Sequence, residues 1–117
     1  MRIADKVFGW LLVIGGLLHA FGSWKGFHDQ PAVLVWALAG SLAALMIAAV
    51  NLLRAGRPGD RSLAIVSLLG SLGWLAVSLE FGKTINNELD PRVLWHTTCA
   101  VALAYFSARS MMQARGI

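Results

Sequence analysis

Three residues able to bind protons or ligands stand inside otherwise apolar sequence: His19, Glu80 and His96. Imidazole nitrogens bind zinc, copper, iron or a proton, and a carboxylate beside two of them would complete a coordination set. Two histidines alone could hold a haem iron from both sides, with Gly15 and Gly22 on the His19 face leaving room for the macrocycle. A carboxylate such as Glu80 could instead exchange a proton for a cationic solute. Each residue also has a plainer use. His19 can fix helix packing through a carbonyl or through Glu80, Glu80 can reach interfacial water along its stem, and His96 can face the same interface. At about 1.5 Å rise per residue, all three lie roughly 5–8 Å below one end of their segments. That common depth on three segments joins them into one candidate site, in which Glu80 would pair with one or both histidines.

The segments that must position these residues are apolar and long. Of 117 residues, 57% are hydrophobic and only 14% charged, and the mean hydropathy is +0.65. A water-soluble domain needs more charge to cover its surface. Runs near 7–24, 31–53, 61–82 and 91–110 each approach the ~20 residues that carry a helix across the ~30 Å hydrocarbon layer. The expected fold is therefore an all-α membrane protein, a four-helix up-down-up-down transmembrane bundle in a single domain of residues 1–117. Arg2 and Lys6 before an apolar run resemble a signal peptide, but His19 interrupts that run and no small-residue cleavage site follows, so it reads as a retained helix. The single cysteine, Cys99, excludes an intrachain disulfide and a CxxC motif.

Charge asymmetry sets the orientation. One side carries Arg2, Lys6, Arg54, Arg57, Arg61, Arg109 and Arg115, and the other only Lys25, Lys83 and Arg92. The excess marks the cytoplasmic side, so both termini are expected there, and in a bacterium the membrane would be the inner one. The site then belongs to the outer leaflet. The arginines of the inner loop read as topogenic. Asp29 or Gln30 with Pro31, Asp60, and Asp90 with Pro91 read as devices that start helices 2, 3 and 4.

A shift of 60 positions carries Phe21–Gly22 onto Phe81–Gly82, Pro31 onto Pro91 and Val33–Leu34 onto Val93–Leu94. This suggests two helical hairpins repeated in parallel, with ligands between the halves. The halves differ where chemistry is expected: Ala20 answers to Glu80, and Trp36 to His96. Small residues on helices 1, 2 and 3 allow close helix association. His96 shares its face with Cys99, Ala100, Leu103 and Ser107. Trp10, Trp24, Trp36 and Trp95 fit interfacial belts, whereas Trp74 lies deeper and is turned about 120° from Glu80. Trp74, Cys99, Gly15, Gly22 and Trp36 are the expected pocket lining.

No nucleophile–base pair, phosphate loop or metalloprotease motif occurs, and the net charge of +4 reads as topology rather than nucleic-acid binding. The leading expectation is a non-enzymatic accessory subunit or ligand-binding bundle in the lipid bilayer, as a homo-oligomer or part of a larger complex. The rivals are a haem or transition-metal protein using His19, His96 and Glu80, and a proton-coupled carrier or channel using Glu80.

Overall fold

A computed structural model describes residues 2–114. Among them are four helices and no strand: α1 (Arg2–Phe27), α2 (Pro31–Ala55), α3 (Arg61–Thr84) and α4 (Pro91–Gln113). Three of them, α1, α2 and α3, are long and apolar enough to cross a membrane. The starts of α2, α3 and α4 fall where the prolines and acidic caps predict. Helix α1 begins at Arg2 rather than near Val7, and its first turn carries Asp5, where a carboxylate favours the helix N-terminus. Arg115 of the predicted charge count lies outside the described residues.

The helix ends have local causes. The Asp60 carboxylate accepts from the Leu63 N–H at 2.9 Å and starts α3, and the Asp90 carboxylate accepts from the Arg92 N–H at 2.9 Å and starts α4. Helix α2 departs from expectation: Gln30 holds the cap position with no side-chain bond, and Asp29 is exposed. A tight turn closed by Gln30 N–H to the Phe27 carbonyl at 2.8 Å leaves neither side chain over the helix end. Pro31 has no N–H to satisfy, so the missing cap costs little. Helix α3 stops at a Schellman motif, in which the Asn87 N–H donates to Gly82 and the Asn86 N–H to Lys83. Asn86 takes φ 54° there, a left-handed conformation that asparagine tolerates better than most residues.

Neighbouring helices pair with residue numbers rising on one as they fall on the other. On α1, Gly9 lies against Leu52, Gly16 against Leu45, and His19 against Ser41 of α2. Gly70 packs on Ile47, and the Ser67 hydroxyl reaches the Val50 carbonyl, between α2 and α3. Gly82 meets Val93 and Trp74 meets His96 between α3 and α4. Phe8 stacks on Phe106, and Gly15 lies under Trp95, between α1 and α4. The two hairpins therefore close into a rod of 50 × 25 × 21 Å.

Side-chain size is distributed in the reverse of a water-soluble protein. The buried faces carry small residues: Gly15 and Gly16 on α1, Ser41, Ala44 and Ala48 on α2, Ser67 and Ser71 on α3, Cys99 and Ala100 on α4. Leu12, Trp74 and Leu103 are the large apolar residues of the core. Outside stand Leu17, Leu18, Phe21, Val35, Leu42, Val66, Leu69 and Val101, all more than half exposed. In water such a surface would drive aggregation. In lipid it is the appropriate exterior, and the small interior lets backbones approach closely.

Candidate functional site

His19 and His96 come together. Gly40 leaves space beside His19, since a Cβ placed there would lie 3.6 Å from the ring, and Gly15 lets His96 rest on the α1 backbone. The rings meet edge to face with centroids 6.4 Å apart and planes at 81°. Each is held by a partner from the neighbouring helix. His19 Nδ1 lies 2.6 Å from Ser41 Oγ, and the Ser41 hydroxyl also reaches the Ala37 carbonyl at 3.4 Å. The Trp74 indole N–H donates to His96 Nδ1 at 3.1 Å. Ser78, buried one turn further along α3, bonds the Trp74 carbonyl. All four helices thus contribute to one layer, and the layer spans both hairpins.

These bonds define the chemistry of the two rings. An indole N–H can only donate, so the Nδ1 lone pair of His96 is committed and its ring proton sits on Nε2. That remaining N–H is directed at the Gly15 carbonyl of α1, so both ring nitrogens of His96 are engaged. Ser41 can either accept from His19 Nδ1–H while donating to Ala37, or turn its own proton onto Nδ1. His19 Nε2 can accordingly accept or donate. The layer pairs a committed ring, His96, with an adaptable one, His19.

Glu80 is not part of this layer. Its side chain is 68% exposed and its carboxylate lies 3.4 Å from Lys83 Nζ, one turn along the same helix. The α3 face that turns Trp74, Ser71 and Ser78 inward necessarily turns Glu80 out, as the 120° separation requires. The expected Glu80–histidine pair is not formed, and among the described residues no three His, Cys, Asp or Glu side chains gather in a metal-ligand arrangement. The slot expected for a macrocycle is also filled: a Cβ on Gly15 would lie 2.9 Å from Trp95 and 3.0 Å from His96, while Gly22 faces open space. Trp36, 79% exposed, points away. Of the expected lining, Trp74, Gly15 and Cys99 lie within or beside the layer.

A second polar cluster at the other end was not foreseen. Arg54, 1% exposed, makes a two-pronged ion pair with Asp5, both N–O distances being 2.7 Å. It also donates to Asn51 Oδ1 at 2.9 Å, which accepts from Ser107 Oγ at 3.0 Å, while Asn51 Nδ2 donates to Ser71 Oγ at 3.0 Å. One residue or more from every helix takes part. Arg54 is therefore a buried structural cation rather than only a topogenic one. The signal available in sequence was Asp5, the single acid of the first helix, opposite an arginine at the end of the next helix.

Comparison with family models, with curated proteins and with solved structures finds no match. The chemistry of the two layers is accordingly the basis for a functional reading.

Proposed function

We propose that the chain is a four-pass membrane bundle, up-down-up-down with both termini in the cytoplasm, that acts without catalysis as a ligand-binding or accessory subunit through the His19–His96 layer near the outer leaflet. The observation that carries this reading is the inverted side-chain distribution combined with a polar layer to which all four helices contribute. Ionisable groups are costly in hydrocarbon and are normally retained for use. Helix α4 crosses as the fourth span by packing His96, Cys99, Leu103 and Ser107 inward and Val101 and Tyr105 outward. Homo-oligomer formation or docking into a larger complex accords with the apolar exterior.

The test is gentle purification of the wild type beside a His19→Ala, His96→Ala variant, with an optical spectrum, elemental analysis and mass spectrometry of bound small molecules. A stoichiometric, colourless small molecule lost in the variant is the expected result. A Soret band or bound metal lost in the variant would replace this reading by the haem or metal one. Solute flux by reconstituted wild type that Glu80→Gln abolishes would replace it by the carrier reading.

A further inference from the structure

The cations at the two ends of the bundle are placed differently. At the end that holds the histidine layer, each is engaged within the chain: Lys25 lies over the Phe21 ring at 5.5 Å, Lys83 reaches the Glu80 carboxylate at 3.4 Å, and Arg92 pairs with Asp90 at 2.9 Å. At the opposite end Arg2, Lys6, Arg57, Arg61 and Arg109 form no ion pair among the described residues. The two acidic side chains there are spent, Asp5 on Arg54 and Asp60 on the Leu63 N–H that starts α3. The same bonds gather the unpaired cations. The Asp5–Arg54 pair ties the first turn of α1 to the last turn of α2, which sets Arg2 and Lys6 level with the loop that follows. In that loop the Arg57 N–H bonds the Arg54 carbonyl at 2.9 Å and the Asp60 N–H bonds the Arg57 carbonyl at 3.0 Å, so Arg57 and Arg61 are held close by. Arg2, Lys6, Arg57 and Arg61 are all exposed. About one turn inward on each helix stands an exposed apolar or aromatic side chain: Trp10, Leu53, Val66 and Tyr105.

We infer that this rim is a binding surface for anionic phospholipid, whose phosphate is taken by Arg57 and Arg61 together with Arg2 and Lys6 and whose acyl chains lie on Trp10, Leu53, Val66 and Tyr105. The occupant follows from charge and depth. The guanidinium fork matches two phosphate oxygens, and clustered cations at a membrane surface attract anionic headgroups. A soluble anion would use the cations but leave the apolar collar beneath them without a partner, whereas a lipid engages both. The buried Asp5–Arg54 pair and the tight turn after it position the cations in advance, so little ordering is needed on binding. The inference rests on the membrane-spanning reading and is independent of the histidine layer. It gives these residues a use in the finished protein, beyond the orientation of the chain during insertion.

The experiment places full-length protein in phosphatidylcholine nanodiscs that carry a trace of spin-labelled phosphatidylglycerol or spin-labelled phosphatidylcholine. Electron spin resonance reads the fraction of label immobilised at the protein. A nanodisc has no cytoplasmic side, so charge that serves only orientation has no influence there. The wild type is expected to hold phosphatidylglycerol at least about threefold more strongly than phosphatidylcholine, a preference that fades as salt rises from about 0.1 M to about 1 M. Arg57→Gln with Arg61→Gln should weaken the preference, and adding Arg2→Gln and Lys6→Gln should abolish it, with helicity and elution volume unchanged. Lys25→Gln with Lys83→Gln, at the other end, should leave it intact. Equal immobilisation of the two lipids by the wild type, or a preference that survives all four inner substitutions, would overturn the inference and leave the four-pass bundle standing. Displacement of the label by pyrophosphate, beyond that by sodium chloride of equal ionic strength, would overturn lipid as the occupant in favour of a soluble phosphate. Protein that does not enter nanodiscs would overturn the inference and the membrane reading together.

Discussion

Replacing Arg54 by methionine would leave the Asp5 carboxylate buried between α1 and α2 with neither of its 2.7 Å partners. Arg54 makes three hydrogen bonds to side chains, two to the carboxylate and one to Asn51. At about 1.5–3 kcal/mol for each bond to a charged group, the gross loss is bounded near roughly 9 kcal/mol. Asp5 remains 11% exposed at its side chain and can recover some hydration. The expected net destabilisation is therefore about 3–5 kcal/mol, the range found when one member of a buried pair is removed. Asp5→Ala should cost a comparable amount. The double variant should cost far less than the sum, because an apolar pair of similar volume removes both charges together. Reversible unfolding in mixed micelles, run as a double-mutant cycle, measures the coupling. Single variants that each lose less than about 1 kcal/mol and add without coupling would refute the structural role of the pair. In the proposed orientation Arg54→Met should leave the topology unchanged, since Arg2, Lys6, Arg57, Arg61 and Arg109 would still mark the same side.

Three further outcomes are expected. Trp74→Phe removes the indole donor to His96 Nδ1; it should destabilise the bundle by about 1–3 kcal/mol and produce a second imidazole tautomer in the ¹⁵N spectrum, absent from the wild type. Asp90 is held down to about 2 by hydrogen bonds from the Arg92 side chain and backbone. Because the folded value lies below the ordinary 3.8, the cap contributes fully above pH 3.8 and is lost as the pH falls through about 2; thermal scans should show Asp90→Asn flattening that acid limb. At Asn86, whose φ is 54°, glycine should be neutral or slightly stabilising, whereas valine should cost about 1–2 kcal/mol, again read by thermal unfolding.

Much of the helical frame was readable because long apolar runs separated by short polar turns leave few alternatives to helix. Pro31, Asp60 and Asp90–Pro91 locate three helix starts through chemistry local to a few residues, and the structure places them there. The stop at Asn86 was not legible, since a left-handed residue depends on the backbone bonds that close around it. The inward face of α4 followed from spacing alone: His96, Cys99, Ala100, Leu103 and Ser107 are all buried. Depth, however, did not determine direction. Glu80 shares a depth with the histidines but is rotated off their face by helical geometry, and the 120° separation from Trp74 already carried that information. Asp5 and Arg54 escaped notice because each sits at a segment end, where a charge ordinarily faces water. Only the contact between α1 and α2 removes them from it.

The inner polar cluster also prescribes an order of assembly. Asp5 and Arg54 both belong to the first hairpin, so their ion pair can close as soon as α2 has been made, before any of the second hairpin exists. Asn51 then waits with its amide groups turned toward helices still to come. Ser71 and Ser107 arrive later, one on each helix of the second hairpin, and both must find the same asparagine. Asn51 thereby acts as a register mark. A second hairpin that docked one turn too high or too low would forfeit both serine bonds and leave Asn51 only its partners in the first hairpin, Arg54 and the Ile47 carbonyl, so the misassembled bundle would be selected against by a residue that the finished structure hides almost completely.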